Sequence, residues 1–184
     1  MAARTVLSDF LLSSLALHRA LNWHLDIVGD GPELDNLMQQ SKVLSLTDKV
    51  TFNGALRNDV VRQMIAQSDC LILPSRWDGW GAVVNEALMM GVPVICSDLC
   101  GAADLLGNIE RGEVFKADSV TSLGRVLERW ICKENKTQNS VNNIKSWTKS
   151  INGETVAGYL LEIIASAAGM KDRPYVPWHH KGQL

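Results

Sequence analysis

The segment DCLILPSRWDGWGAVVNEALMMGVPVICSD, residues 69–98, decides the fold of this chain. Its first apolar run ends at Pro74 and Ser75, a pattern typical of a buried parallel strand that reaches its loop. A second apolar run begins at Ala82 and closes at Gly91, which is typical of a helix and its end. The segment therefore predicts a strand, a glycine-rich loop and a helix in succession.

The glycine-rich loop, DGWG, leads directly into the predicted helix. Gly79 and Gly81 allow the backbone to turn tightly and to approach a ligand. The first helical amides, near Gly81, Ala82 and Val83, point into the loop, where they and the helix dipole favour a phosphate. By itself, a glycine-rich turn is equally typical of an ordinary strand-to-helix junction.

Two carboxylates flank the loop, Asp78 at its start and Glu86 inside the helix, with seven residues between them. Glu86 lies too deep to cap the helix, but a carboxylate there can accept hydrogen bonds from a ribose diol. Asp78 would face a different part of the same ligand. Taken alone, Glu86 is also consistent with an ordinary surface position on a helix.

The same alternation of apolar runs and breaks continues along the chain. Predicted strands cover residues 23–29, 49–53, 69–73, 93–97 and 112–115. Predicted helices cover residues 6–20, 32–43, 58–67, 82–90, 102–106, 119–134, 138–148 and 153–168. This order predicts an α/β fold, a Rossmann-like parallel sheet with helices on both faces and a helical C-terminal part. Right-handed crossovers would bring the loops that follow the strands to one edge of the sheet.

Three segments resemble, in order and spacing, the C-terminal half of family 4 retaining glycosyltransferases of the GT-B fold. They are LDIVGDGPE (residues 25–33), VTFNGAL (residues 50–56) and the segment 69–98; the resemblance extends more loosely to about residue 165. It implies a single Rossmann-like nucleotide-sugar-binding domain over residues 1–168, followed by an irregular tail over residues 169–184. The donor would be a UDP-sugar or a GDP-sugar.

The resemblance also implies roles for individual residues. Glu86 matches the glutamate that binds the nucleotide ribose, and Asp78 matches one that contacts the donor sugar, although aspartate is one methylene shorter. Leu56 and Arg57 would lie against the base, and Asp30 is a nucleotide contact or else the start of the next helix. The backbone amides implied to hold the diphosphate are those of Gly79, Trp80, Gly81 and Ala82.

No metal and no other cofactor is implied. In retaining transfer the acceptor hydroxyl attacks on the face that the nucleotide leaves, the donor phosphate accepts the proton, and no protein nucleophile is required. A sugar-nucleotide epimerase shares the GT-B architecture, but the paired carboxylates and the short DGWG loop favour a transferase.

The family's C-terminal half normally opens with a strand and a loop that reads roughly Gly-Arg and then Lys-Gly, and this sequence contains no such segment. Arg4 is the one basic residue near that place, and 184 residues correspond to about half of a two-domain enzyme. We therefore predict that the chain is inactive without an N-terminal acceptor-binding half, and that an unpaired sheet edge promotes homo-oligomers. The alternative is a non-catalytic sugar-nucleotide-binding or interaction module, or a remnant of a transferase.

Composition is that of a globular domain, with 46% hydrophobic residues, 21% charged residues and a net charge of −2. Such a charge gives no electrostatic footprint for nucleic acid. The sequence has no apolar run of membrane-spanning length and no signal-peptide pattern, which predicts a cytoplasmic protein. Trp178 beside Lys181 leaves a peripheral membrane contact open. The four cysteines and four histidines lack the spacing of a zinc site.

Overall fold

The structure is a computed structural model, which describes residues 9–133 and 137–179. Within these residues the strands are β1 Leu25–Ile27, β2 Val50–Phe52, β3 Leu71–Leu73, β4 Val94–Ser97 and β5 Gly112–Phe115. The α-helices are α1 Asp9–Ala16, α2 Leu34–Val43, α3 Asn58–Gln67, α4 Ala82–Met89, α5 Val120–Ile131, α6 Gln138–Trp147 and α7 Gly153–Ala167. Gly101–Leu106 and Thr148–Ile151 are 3-10 helices. The predicted α/β fold is confirmed, and the predicted short helix at 102–106 is of the 3-10 type.

The strands form two separate parallel sheets. β1 pairs with β2, and β3, β4 and β5 pair in that order. In the described residues, β1, β2, β3 and β5 each pair along one edge and leave the other edge unpaired. The two sheets therefore have four unpaired edges, whereas a single five-stranded sheet would have two. The predicted alternation of strands and helices is therefore present, but its strands do not join into one continuous sheet.

Helices cover both faces of the sheets because neighbouring strand residues point in opposite directions. In β4, Val94 and Cys96 belong to the apolar cluster that contains Val84 of α4 and Ile144 of α6. Ile95, between them, belongs to the cluster on the other face, where α1 and α5 pack. This arrangement buries β4 completely and holds its C-terminal end rigidly.

Helix α1 connects the two sheets. Its Leu12 packs with Ile27 of β1 and Val50 of β2, while its Phe10 packs edge to face on Phe115 of β5 at 5.9 Å between ring centroids. The predicted helix over 6–20 is thus helical over Asp9–Ala16, with a turn over 17–20; residues 6–8 and Arg4 lie outside the described residues.

Helix α7 and the tail after it differ from the rest of the molecule. None of the side chains of α7 is buried, although the helix is rich in leucine and isoleucine. Beyond residue 169 the described tail has no helix or strand, yet it packs on the domain: the Trp178 indole donates to Asp104 Oδ2 at 3.0 Å and stacks edge to face on Tyr159. Lys181 lies outside the described residues. Within residues 9–133 and 137–179, every helix is too short or too polar to cross a bilayer.

Candidate functional site

The candidate site lies at the C-terminal ends of β3 and β4. Ser75 follows β3 and is buried, and its carbonyl accepts a hydrogen bond of 2.6 Å from the buried Ser97 hydroxyl at the end of β4. A bond between buried polar groups fixes the relative position of the two strand ends, since neither group has water as an alternative partner. The loop that begins after Ser75 therefore starts from a rigid base.

The glycine-rich loop rests on the segment that follows β4, residues 99–102. The Asp78 amide donates to the Leu99 carbonyl at 3.2 Å, and the Gly101 amide donates to the Asp78 carbonyl at 3.2 Å. The Ala102 amide donates to the Trp80 carbonyl at 2.7 Å. These backbone bonds determine the path of the loop, and none of them is visible in the local sequence pattern around Asp78.

Gly81 is required by its conformation. It precedes α4 with φ +80° and ψ 58°, the left-handed region, and a Cβ there would lie 2.6 Å from Cys100 Sγ. Gly79 has open space and lacks a positive φ, so its own conformation does not require glycine. Its carbonyl, however, would lie 2.3 Å from a Cβ on Gly101. The predicted need for glycine thus holds at Gly81, and Gly101 is a second tight position that the sequence analysis missed.

The amides at the start of α4 differ in exposure: Gly81 is buried, Val83 is half-buried and Ala82 is exposed. The structure shows no acceptor within the described residues for the N–H groups of Gly81, Ala82 and Val83, as expected for the first turn of a helix. The Trp80 amide differs, because it donates to the Asp78 carboxylate at 3.1 Å. Of the predicted phosphate ligands, Gly81 and Ala82 therefore have free amides, whereas the Trp80 amide is already engaged.

Glu86 lies one helical turn beyond these amides. Its side chain is exposed, and no hydrogen bond or ion pair holds it within the part of the chain that the structure describes. The preceding residue, Asn85, accepts a hydrogen bond of 3.1 Å from the Trp80 indole, which places that ring along the first turn of α4. Trp77 and Trp80 are 78% and 49% exposed, so neither indole is buried in the hydrophobic core.

Two arginines near these loops are paired with carboxylates. Arg76, on the loop after β3, binds Asp118, on the loop after β5. Arg57 binds Asp59 through two hydrogen bonds of 2.8 and 3.1 Å at the start of α3. Both pairs are exposed, where such contacts contribute at most about 1 kcal/mol, and a phosphate could compete for either arginine.

The remaining predicted residues belong to the other sheet. Asp30 follows β1, and Leu56 and Arg57 follow β2, so all three lie at C-terminal strand ends as predicted. In the described residues no hydrogen bond or ion pair joins them to the glycine-rich loop. Helix α2 begins at Leu34 after Glu33, and Asp30 is therefore not its cap.

Solved structures place this architecture in the GT-B class. An apo lipopolysaccharide outer core galactosyltransferase superposes with a TM-score of 0.73 at 25% identity, over 86% of this chain and 44% of that one. Anabaena HepE in complex with UDP gives a TM-score of 0.69 at 25% identity, over 85% of this chain and 44% of that one.

Sequence comparison gives the family. A family model described as "Glycosyl transferases group 1" matches residues 8–147, and the chain belongs to this family. The lipopolysaccharide 1,6-galactosyltransferase of Escherichia coli (strain K12) is 26% identical over 116 residues, which are 61% of this chain and 32% of that enzyme. The chain thus spans about a third of that relative. The predicted resemblance to the C-terminal half of a GT-B glycosyltransferase is confirmed.

Proposed function

We propose that this chain is the donor-binding half of a retaining hexosyltransferase that uses a UDP-sugar or a GDP-sugar. The observation that carries the proposal is the start of α4, where free amides at Gly81, Ala82 and Val83 precede an exposed, unpaired Glu86 by about one turn. The amides and the helix dipole suit a diphosphate, and the carboxylate suits a ribose diol. The structures of Anabaena HepE with UDP and with UDP-glucose support this class of ligand.

Asp78 would contact the donor sugar in this proposal. Its Oδ1 atom accepts from the Trp80 amide, while Oδ2 has no hydrogen bond within the described residues and remains available to a sugar hydroxyl. Retaining transfer would then proceed by attack of the acceptor hydroxyl on the face that the nucleotide leaves. The donor phosphate would take the proton, and the amides of α4 would stabilise the charge on the departing diphosphate. No metal ion is part of the proposal.

The acceptor is proposed to be a glycan or a lipid-linked sugar. Relatives named for lipopolysaccharide and teichuronic acid biosynthesis support this substrate class. A lipid-linked acceptor would place the reaction at the cytoplasmic surface of a membrane, with the chain bound peripherally.

Transfer is proposed to require a separate N-terminal half. Arg76 and Arg57, two cations on the loops around the site, are each paired with a carboxylate, so a partner that brings further cations would complete the diphosphate site. Helix α7 supplies a surface for such a partner, because large apolar side chains on it are exposed. These are Val156, Leu160, Leu161, Ile163 and Ile164.

The first test is calorimetric titration of the chain with UDP, GDP and their hexose conjugates. We expect one of these to bind, and we expect Glu86→Gln to weaken it by about 1–3 kcal/mol, roughly 5- to 150-fold, because a charged hydrogen bond to the ribose is lost. Glu128→Gln, on the exposed surface of α5, is the matched control. Equal affinity in Glu86→Gln and the control would remove the ribose assignment.

A non-catalytic module is the alternative, favoured by the ion pairs that neutralise both arginines. Co-expression with a candidate N-terminal half separates the two functions, since only the transferase proposal predicts that sugar transfer is restored.

The open sheet edges and α7 also predict self-association when no partner is present. We expect size-exclusion chromatography with light scattering to find dimers or larger species, and Leu161→Lys to shift them towards monomer. Val43→Lys, at an equally exposed position on α2, is the control that should not change the mass. A monomer at high concentration in the unmodified chain contradicts this prediction.

A further inference from the structure

The C-terminal tail is attached to the domain at one carboxylate oxygen. The Trp178 indole donates to Asp104 Oδ2 at 3.0 Å, and His179 Nε2 donates to the same oxygen at 2.9 Å. Trp178 also packs against the apolar cluster that contains Ala102, and the Tyr159 ring of α7 contacts it edge to face at 5.6 Å between ring centroids. The tail is therefore held both by directional bonds and by packing of its indole.

Asp104 belongs to the 3-10 helix Gly101–Leu106, whose first residues hold the glycine-rich loop. The amides of Gly101 and Ala102 both donate to backbone carbonyls of that loop. A Cβ on Gly101 would lie 2.3 Å from the Gly79 carbonyl oxygen, so the helix start and the loop are in backbone contact. Any movement of the helix start therefore moves the loop.

The geometry of a 3-10 helix brings Asp104 into line with Gly101. Such a helix has three residues per turn, so residues three positions apart lie above one another on the same face. Asp104 is thus one turn beyond Gly101, on the side of the helix that bonds to the tail. Because hydrogen-bond geometry is poorer in a 3-10 helix than in an α-helix, an external contact contributes more to holding it in place.

We propose that Trp178, His179 and Asp104 are positioning residues for the glycine-rich loop. The tail holds the 3-10 helix, and the helix holds the loop so that the amides at the start of α4 face a phosphate. None of the three side chains touches the ligand. The inference rests on the proposed function for its effect on nucleotide affinity, whereas its effect on the loop requires no ligand.

A positioning role and a purely stabilising role predict different patterns of amide hydrogen exchange. A tail that only adds stability would affect the amides of the buried strand β4, which exchange through global unfolding. It would leave the local openings of the glycine-rich loop unchanged. A tail that positions the loop must slow these local openings, so the exchange rates of the loop amides separate the two roles.

The experiment measures amide exchange by NMR in the full chain without ligand. In Asp104→Ala, the amides of Trp80, Gly101 and Ala102 should exchange about two- to tenfold faster, the factor that corresponds to one lost hydrogen bond. Asp104→Asn should keep most of the protection, because its amide oxygen can accept from both rings. Asp48→Ala, at an exposed position on the turn before β2, is the matched control and should change none of these rates. Unchanged rates in Asp104→Ala would overturn the proposal.

Trp178→Phe tests the same contact from the tail, since it removes the indole N–H and keeps a ring against Tyr159. It should speed the same loop amides, and the double variant with Asp104→Ala should add little to Asp104→Ala alone, because both changes remove one bond. Fully additive effects would overturn the route through Asp104.

Titration with the nucleotide that binds the unmodified chain should show about two- to tenfold weaker affinity in Asp104→Ala and in Trp178→Phe. Unchanged affinity in a variant whose loop amides exchange faster would overturn the link to phosphate binding. If no nucleotide binds the unmodified chain, the proposed function fails, and the exchange rates still decide whether the tail positions the loop.

Discussion

Gly112→Ala is expected to lower the free energy of unfolding by about 2–6 kcal/mol, the sum of a strained backbone and a steric overlap. Gly112 opens β5 with φ +145°, and a Cβ there would lie 1.8 Å from the carbonyl oxygen of Val94, its register partner in β4. That oxygen belongs to a buried strand and cannot move aside. The change would therefore separate β5 from the sheet that supports the site.

Urea unfolding followed by circular dichroism measures this effect. Gly158→Ala is the control, because Gly158 lies within α7 with no neighbour in contact with the added methyl group. Alanine is the better helix former, so the control should gain up to about 1 kcal/mol. Superimposable unfolding curves for Gly112→Ala and the unmodified chain would contradict the tight contact between β4 and β5.

Gly81→Val is expected to weaken nucleotide binding by about 100-fold or more. Valine disfavours the left-handed conformation, and its Cβ would meet Cys100 Sγ at 2.6 Å and Leu73 Cδ2 at 3.1 Å. The start of α4 must then shift, so at least two of the proposed amide bonds to the diphosphate would be lost, at roughly 1.5–3 kcal/mol each.

Titration with the nucleotide that binds the unmodified chain measures the loss, and the unfolding midpoint of each sample shows whether the variant is folded. Gly153→Val, at the open first position of α7, controls for the substitution itself. Gly81→Ala combined with Cys100→Ala should recover part of the affinity lost by Gly81→Ala alone, since the double change removes the overlapping sulfur. Undiminished binding in a folded Gly81→Val chain would mean that phosphate does not approach this turn.

Local sequence patterns predicted the ends of those helices and strands that are bounded by glycine. The helix predicted over 82–90 is Ala82–Met89 in the structure, because Gly81 and Gly91 on either side both adopt positive φ. The strand predicted over 23–29 is shorter, Leu25–Ile27, since apolar character extends beyond the residues that pair. The division into two sheets was not predictable, because strand pairing depends on residues far apart in the sequence.

The site shows the same division between local and distant effects. The free amides at the start of α4 and the exposed Glu86 follow from helix geometry, so a sequence pattern is sufficient to propose them. The Trp80 amide donates to the Asp78 carboxylate, two residues away, in a local turn. The family resemblance had instead implied that this amide binds the diphosphate. Support of the loop by residues 99–102 involves partners some 20 residues apart, and only the three-dimensional structure shows it.

The two-sheet arrangement gives a bound nucleotide a mechanical role. In the proposed pose, the base lies against the loop after β2, while the diphosphate lies at the start of α4, beyond β3. The ligand would then bridge two parts of the domain that share no strand pairing and are linked through the packing of α1. Such a ligand would hold the two sheets together, so the affinity for donor and the rigidity of the domain would be thermodynamically coupled. Whatever stiffens the contact between the two sheets would strengthen binding, and binding would stiffen that contact.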